Sequence, residues 1–364
     1  MKKLVAAMIV VSLLMMACGT VGAASAGPKF IMNGKQVTDK PLNSKGEYYF
    51  RTAAAEKLFG IKLVLDAKKK KAALTVNKKQ VQLELLVANK QYYVSISRLA
   101  SLLKVLVRYD KSSNAYYLIK QRSAAETQRA LQTAWKTKDL NLMRELVLSG
   151  TKLDLDRTLF LASTNNGIEI AEYLISQGAD IDYVDPVSGN QTLTNAIARG
   201  YEDFAVKMIV LGADVHYGPQ YRWTNLHYAV SEQQIKVVEA LLQHGADPNV
   251  GYYGRYGRDP ETPLELAASK VQLTDENGKT GVRMPNAAII ALLLKFGASP
   301  ANDDSLANAV RAEAVEAVEL LLKAGADPNR KNEAGETLMT SAGIDPSSEI
   351  GKLLVKGGAS AQSF

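Results

Sequence analysis

The sequence predicts an α+β module over residues 27 to 122 followed by an all-α repeat solenoid over 123 to 364, and three observations carry that expectation. A short phrase, Leu242-Gln243-His244-Gly245-Ala246-Asp247-Pro248-Asn249, returns almost unchanged as Leu322-Lys323-Ala324-Gly325-Ala326-Asp327-Pro328-Asn329. Weaker copies place glycine at 150, 178, 212, 297 and 358, so the steps are 28, 34, 33, 52, 28 and 33 residues, and a period near 33 marks a repeat array. Charge also changes sign between the segments: 27 to 122 holds 20 Lys+Arg against 6 Asp+Glu, whereas 123 to 364 holds 22 against 31.

The chain opens with Met1-Lys2-Lys3 and an apolar run from Leu4 to Met16, a pattern too short to span a bilayer and suited to an export signal. Cleavage after Ala24-Ser25-Ala26 would start the mature chain at Gly27. Alternatively, Met15-Met16-Ala17-Cys18 resembles a degenerate lipoprotein box that would leave Cys18 as a lipidated first residue. Cys18 is the one cysteine, so disulfides have no part in stability. The expected location is extracytoplasmic, secreted or attached to the envelope.

Residues 27 to 122 alternate strand-like and helical runs twice over. Tyr48-Tyr49-Phe50 precedes Tyr92-Tyr93-Val94 by 44 positions, and Leu63-Val64-Leu65-Asp66 precedes Val107-Arg108-Tyr109-Asp110 by 44. Helices are expected over Arg51 to Phe59 and Ile96 to Leu103, with strands at Ala72 to Val76 and Ala115 to Ile119, so each half reads as strand, helix, hairpin. Asn33-Gly34 and the stretch from Asp66 to Lys71 supply turns. The opening Asn33-Gly34-Lys35, the aromatic strand, the helix ending at Leu58-Phe59-Gly60 and the strand closing in Asp66 resemble the copper amine oxidase N-terminal-like, or stalk, domain of exported bacterial proteins. The usual Val-Pro-x-Arg at the helix entry is replaced by Tyr49-Phe50-Arg51-Thr52 and Val94-Ser95-Ile96-Ser97. The resemblance implies no copper or oxidase chemistry, and no histidine occurs in this segment. Lys68-Lys69-Lys70-Lys71, reinforced by Lys78 and Lys79, reads either as a patch for an anionic lipid or envelope polymer or as a solvated turn.

Glu126 starts a helix that runs through Trp135, which is expected to be capping core. Beyond it, each marker glycine ends an apolar helical run such as Val237 to Leu242, where a left-handed residue ties off the last carbonyls. About ten residues later the next helix begins, at Gln191-Thr192, Trp223-Thr224, Glu261-Thr262-Pro263 and Glu336-Thr337, where threonine suits the cap and Pro263 the first turn. Thr262-Pro263-Leu264 and Thr224-Asn225-Leu226-His227, with the repeated Gly-Ala-Asp-x-Asn, resemble the ankyrin repeat over about two thirds of the chain. The resemblance implies seven stacked helical hairpins, irregular at both ends, whose connecting fingers and first helices form a concave binding surface. Val271 to Arg283 is an insertion within one repeat, and Asn277-Gly278 marks it as a hairpin.

Catalytic chemistry has few carriers. Of three histidines, His227 is expected to tie neighbouring repeats, while His216 and His244 fall at turn and helix end. Asp180 and Asp182 are accounted for by the turn, and no nucleophile elbow, phosphate loop, metal set or cofactor motif is present. The unusual feature is a gathering of Tyr183, Tyr217, Tyr221, Arg222, Trp223, Tyr252, Tyr253, Arg255, Tyr256 and Arg258 in the fingers. Tyrosine, tryptophan and arginine dominate binding hot spots because they bury a large area while keeping a polar tip. The expectation is a non-enzymatic scaffold that grips a protein partner, with no nucleic acid or small-molecule substrate. A structural spacer and an enzyme with an unrecognised site remain the alternatives.

Overall fold

A computed structural model describes residues 27–218, 223–252, 261–274, 280–301 and 303–360. Cys18 and its leader, and the finger residues Tyr221, Arg222, Tyr253, Arg255, Tyr256 and Arg258, lie outside the described residues. The chain divides into two compact units, Met1–Leu153 and Asp154–Phe364.

The first unit contains β1 (Lys29–Met32), β2 (Lys35–Gln36), β3 (Leu42–Ser44), β4 (Glu47–Arg51), α1 (Thr52–Phe59), β5 (Leu63–Asp66), β6 (Lys71–Val76), β7 (Lys79–Ala88), β8 (Gln91–Ser95), α2 (Ile96–Leu103), β9 (Val105–Asp110), β10 (Ala115–Lys120), α3 (Ala124–Thr137) and α4 (Leu140–Leu148). Strands β3-β4-β8-β7-β6-β5 form one sheet and β2-β1-β10-β9 another. Helices α1 and α2 and both sheets enclose a core that includes Phe30, Phe50, Leu74, Leu83, Val94, Leu99 and Leu118. Phe30 meets Tyr48 and Phe50 edge-on and stacks on Tyr116 at 5.1 Å, the arrangements that ring quadrupoles favour.

Four two-residue hairpins organise these sheets, at Asn33-Gly34, Lys45-Gly46, Asn77-Lys78 and Asn89-Lys90. All eight residues have φ between 47° and 82°, the type I′ geometry whose twist matches that of paired strands. Only Asn33-Gly34 was legible as such a turn. Lysine in place of glycine hides Asn77-Lys78 and Asn89-Lys90, because a left-handed lysine is disfavoured by its Cβ.

Strand β10 alternates between two cores. Leu118 faces the main one, whereas Ala115, Tyr117 and Ile119 join Ile31 on the opposite face, where Leu148 of α4 packs. A strand covered on both faces reads as continuously apolar. The division into units therefore falls one helical hairpin beyond the change of charge at Arg122, since α4 packs on the second face of the smaller sheet and α3 pairs with α4. Ser123 and Glu126 form a reciprocal capping box at the start of α3, and Trp135 is buried. Tyr117 donates to Asn141 Oδ1 at 3.3 Å, and Arg144 pairs with Asp110. Burial alone would raise the Asp110 carboxyl, but Ser113, Ser112 and Arg144 donate to it and hold it below the usual range.

The second unit contains α5 (Leu155–Thr164), α6 (Ile168–Ser176), α7 (Thr192–Ala198), α8 (Glu202–Val210), α9 (Asn225–Ser231), α10 (Ile235–Gln243), α11 (Pro263–Ala268), β11 (Val271–Thr274), β12 (Thr280–Arg283), α12 (Ala287–Lys295), α13 (Ser305–Arg311), α14 (Val315–Lys323), α15 (Leu338–Ser341) and α16 (Glu349–Lys356). First helices pack on first helices from α5 to α13, and second on second from α8 to α16. Strands β11 and β12 pair antiparallel within one repeat.

Each letter of the recurring phrase has a physical task. The glycine is left-handed, as at Gly245 with φ 94°; nothing lies within 4 Å of the Cβ it lacks, so conformation and not space selects it. The following alanine is buried, and its amide reaches back to the helix, as from Ala246 to the Leu241 carbonyl at 3.0 Å. The aspartate accepts the amide two residues on: Asp180 from Asp182, Asp214 from His216, Asp247 from Asn249 and Asp327 from Asn329. The final asparagine joins repeats. Asn249 donates to the Gly297 carbonyl at 3.0 Å and accepts from the Ser299 amide at 2.8 Å, and Asn329 does the same to Gly358 and Ser360. Asp182 accepts from the Asp214 amide at 2.8 Å in the equivalent place. In the first connection Asp156 accepts from the Asp180 amide at 2.7 Å, whereas His216 and Ala301 occupy the asparagine place in the remaining two, where no such bond is formed among the described residues.

Candidate functional site: an aromatic corner at the fingers

The fingers are closed by single bridging pairs, Val184 with Gln191, Tyr252 with Glu261 and Lys331 with Thr337. In the middle one the Tyr252 and Glu261 amides each donate to the other's carbonyl, at 2.9 and 3.1 Å. Directly opposed residues of such a pair send their side chains to the same face. Tyr252 and Glu261 are thereby set side by side above the start of α9.

Helix α9 supplies the floor. Thr224 caps it, its hydroxyl 2.8 Å from His227 Nδ1, while His227 Nε2 lies 3.1 Å from the Glu261 carbonyl of the next repeat. A carbonyl only accepts, so Nε2 carries the proton and Nδ1 accepts from Thr224. Burial pushes the His227 pKa down to about 4, although its bond to the Glu261 backbone acts in the opposite sense. This histidine is a neutral strut between repeats.

Above the strut, three half-buried rings make a corner. Trp223 meets Tyr228 at 5.5 Å and 75° and Tyr252 at 6.4 Å and 82°, and His227 lies 6.4 Å from Tyr252. Trp223 and Tyr252 were expected from composition; Tyr228 was not, because it lies on a helix whose pattern otherwise reads as core. A large aromatic placed four residues after the capping Thr224 is the signal that would have found it. The other two described finger tyrosines stand apart from these contacts. Tyr217 donates to the Gly189 carbonyl at 2.8 Å, covering the backbone of the preceding finger. Tyr183 is half-buried, with its hydroxyl held above the usual value by burial and then by Asp154 and Asp185.

The insertion forms a second feature. Arg283 Nη1 donates to the Ser231 carbonyl at 2.5 Å, and Gln233 donates to the Met284 carbonyl at 3.1 Å, which tethers β12 to the end of α9. Between them lies an open polar cleft bordered by Glu232, Gln233, Arg283, Asn286 and Glu316. Arg283 is held below its ordinary value by burial, with Glu232 and Glu261 opposing. Sequence reasoning did not single out this arginine.

In the first unit, Lys68, Lys69 and Lys70 lie exposed on the turn between β5 and β6, and Lys71 begins β6. Lys69 pairs with Asp66 at 3.6 Å and Lys71 with Glu84 at 3.0 Å. Among the described residues, no group of three or more His, Cys, Asp or Glu is placed to hold a metal ion, and no helix is long and apolar enough to cross a membrane.

Residues 159–252 match a family model of three ankyrin repeats, and residues 306–333 match a single ankyrin repeat. An ankyrin repeat protein of Rickettsia felis is 30% identical over 142 residues, which is 38% of this chain and 58% of that protein. A Danio rerio protein named as the palmitoyltransferase ZDHHC13 is 29% identical over 181 residues, 50% of this chain and 26% of its own. The chain thus spans between 26% and 58% of the length of these relatives. The crystal structure of the human ASB11 ankyrin repeat domain aligns with 66% of this chain and 100% of its own, at 22% identity and a TM-score of 0.49.

Proposed function

We propose that this chain is an exported, non-enzymatic scaffold whose ankyrin repeats hold a protein partner outside the cytoplasm. Ankyrin repeats are a protein-interaction framework, and the observation that carries the reading here is the Trp223, Tyr228 and Tyr252 corner, held on a buried polar frame. Rings that are already ordered lose little freedom on binding, so their contact area converts efficiently into affinity. The seven repeats over 123–364 and a duplicated, stalk-like module over 27–122 complete the proposed organisation.

The basic module would position the array at the envelope, with the exposed Lys68 and Lys70 and the paired Lys69 and Lys71 meeting an anionic lipid or wall polymer. Export rests on the leader, with cleavage before Gly27 or, in a lipid-anchored form, before Cys18; the mass of the mature N-terminus distinguishes the two.

Cross-linking on intact cells, followed by identification of the captured protein, tests the scaffold reading. Trp223→Ala and Tyr252→Ala are expected to reduce capture at least about tenfold while leaving thermal unfolding within a few degrees of the parent. Capture that both variants leave intact would place the partner away from this corner, and absence of any captured partner would assign the array a spacer role. Changing Lys68 to Lys71 to glutamine should weaken envelope association in a salt-dependent way; association indifferent to salt rules out the charge mechanism.

A further inference from the structure

We propose that the corner formed by Trp223, Tyr228 and Tyr252 receives a cationic side chain, lysine or arginine, from the partner, with Glu261 as its counter-charge. The inference rests on the scaffold reading and names the chemistry of the occupant. Trp223 stands nearly perpendicular to both tyrosines, at 75° and 82°, so the rings present converging surfaces and do not stack shut. The face of each ring is the negative end of its quadrupole and attracts a cation within about 6 Å, tryptophan most strongly.

Glu261 completes the site. Its backbone pairing with Tyr252 puts the two side chains on one face, and burial holds its carboxyl above the ordinary range, with the charge of Arg283 opposing. A half-buried carboxylate beside a ring corner is stabilised by a cation and not by an apolar side chain. The surroundings agree in sign: residues 154 to 364 hold 17 Lys+Arg against 28 Asp+Glu. His227, neutral and bonded on both nitrogens, adds no positive charge beneath the corner.

The test uses the full chain labelled with 5-fluorotryptophan, whose two tryptophans give separate fluorine resonances, that of buried Trp135 serving as the internal reference. Acetylated and amidated Gly-Arg-Gly, Gly-Lys-Gly, Gly-norleucine-Gly and Gly-Glu-Gly are titrated to about 50 mM, since a single cation–π site binds weakly. The arginine or lysine peptide should shift Trp223 saturably, at least about fivefold more tightly than norleucine, with Glu261→Gln and Tyr228→Leu each weakening it about threefold or more. An equal response to norleucine, or none to either cation, overturns the proposal. So does a response that emerges only when Arg222, Arg255 and Arg258 are changed to serine, which would assign the corner to the chain's own arginines. The cross-linking assay separates the two readings: partner capture by a chain whose Trp223 ignores both cations sinks the cation site alone, whereas absence of any captured partner sinks the scaffold.

Discussion

Arg122 and Glu145 meet as a buried ion pair, with Nη2 2.5 Å from Oε1 and the carboxylate fully excluded from solvent. The second oxygen of Glu145 accepts the Gly34 amide at 3.0 Å. One side chain of α4 therefore holds both the exit of β10 and the β1-β2 turn. Gly34 is confined by the same contact: a Cβ there would lie 2.5 Å from Asp139 Oδ2 and 3.0 Å from Leu142 Cβ, and its φ is 76°.

Replacing Glu145 by alanine leaves a buried guanidinium and a buried amide without their acceptor, which typically costs about 3–5 kcal/mol. We expect a lower urea midpoint for the first unit and faster hydrogen exchange at the Gly34 amide. Glu145→Gln, which keeps an acceptor for Gly34, should lose less. Unchanged exchange at Gly34 in the alanine variant would show that α4 is held by apolar packing alone.

The asparagine bridges between repeats make the array's stability adjustable at two places. Asn249→Ala should cost about 1 kcal/mol, the usual net value of such bonds. Ala301→Asn and His216→Asn install the same group at the same place, four residues after the marker glycine, and each should stabilise by about 0.5–1.5 kcal/mol. Denaturant midpoints of the single and double variants check this; no gain at either site would mean that those two interfaces are spaced too widely for the bridge.

Acid should loosen the second unit through His227. Its pKa is about 4 in the folded chain against an ordinary 6.5, so the unfolded state binds the proton more readily. The stabilisation of the neutral form is complete above pH 6.5 and is lost as pH falls toward 4, about 3 kcal/mol in all. The neighbouring Trp223 reports the transition by fluorescence. His227→Asn should lower stability at neutral pH and flatten the dependence over this range; an unaltered slope would place the acid sensitivity elsewhere.

Lys78 and Lys90 adopt φ of 64° and 60° at turn positions where glycine carries no steric penalty. Lys78→Gly and Lys90→Gly should each stabilise the first unit by about 0.5–1 kcal/mol, the left-handed cost of lysine less the added chain entropy of glycine. Calorimetry of the single variants measures it, and a loss of stability would mean that the lysine side chains make compensating contacts.

The sequence by itself determined the repeat: the spacing of glycines, the buried alanine after each, and the capping threonines are local requirements of ending one helix and starting another. It also determined the helices expected over 51–59, of which Arg51 proves to be the cap, and over 96–103, and the presence of aromatic residues in the fingers, since periodicity and composition are properties of short stretches. Only the tertiary structure decided that β10 lies between two cores, that Glu145 is buried against Arg122, and that Tyr228 joins Trp223 and Tyr252 while Tyr217 turns to Gly189. Apart from the Trp223–Tyr228 contact, which spans five residues, those outcomes depend on which surfaces meet across 23 to 111 residues of chain, and burial and pairing at that range leave no periodic trace in the order of residues.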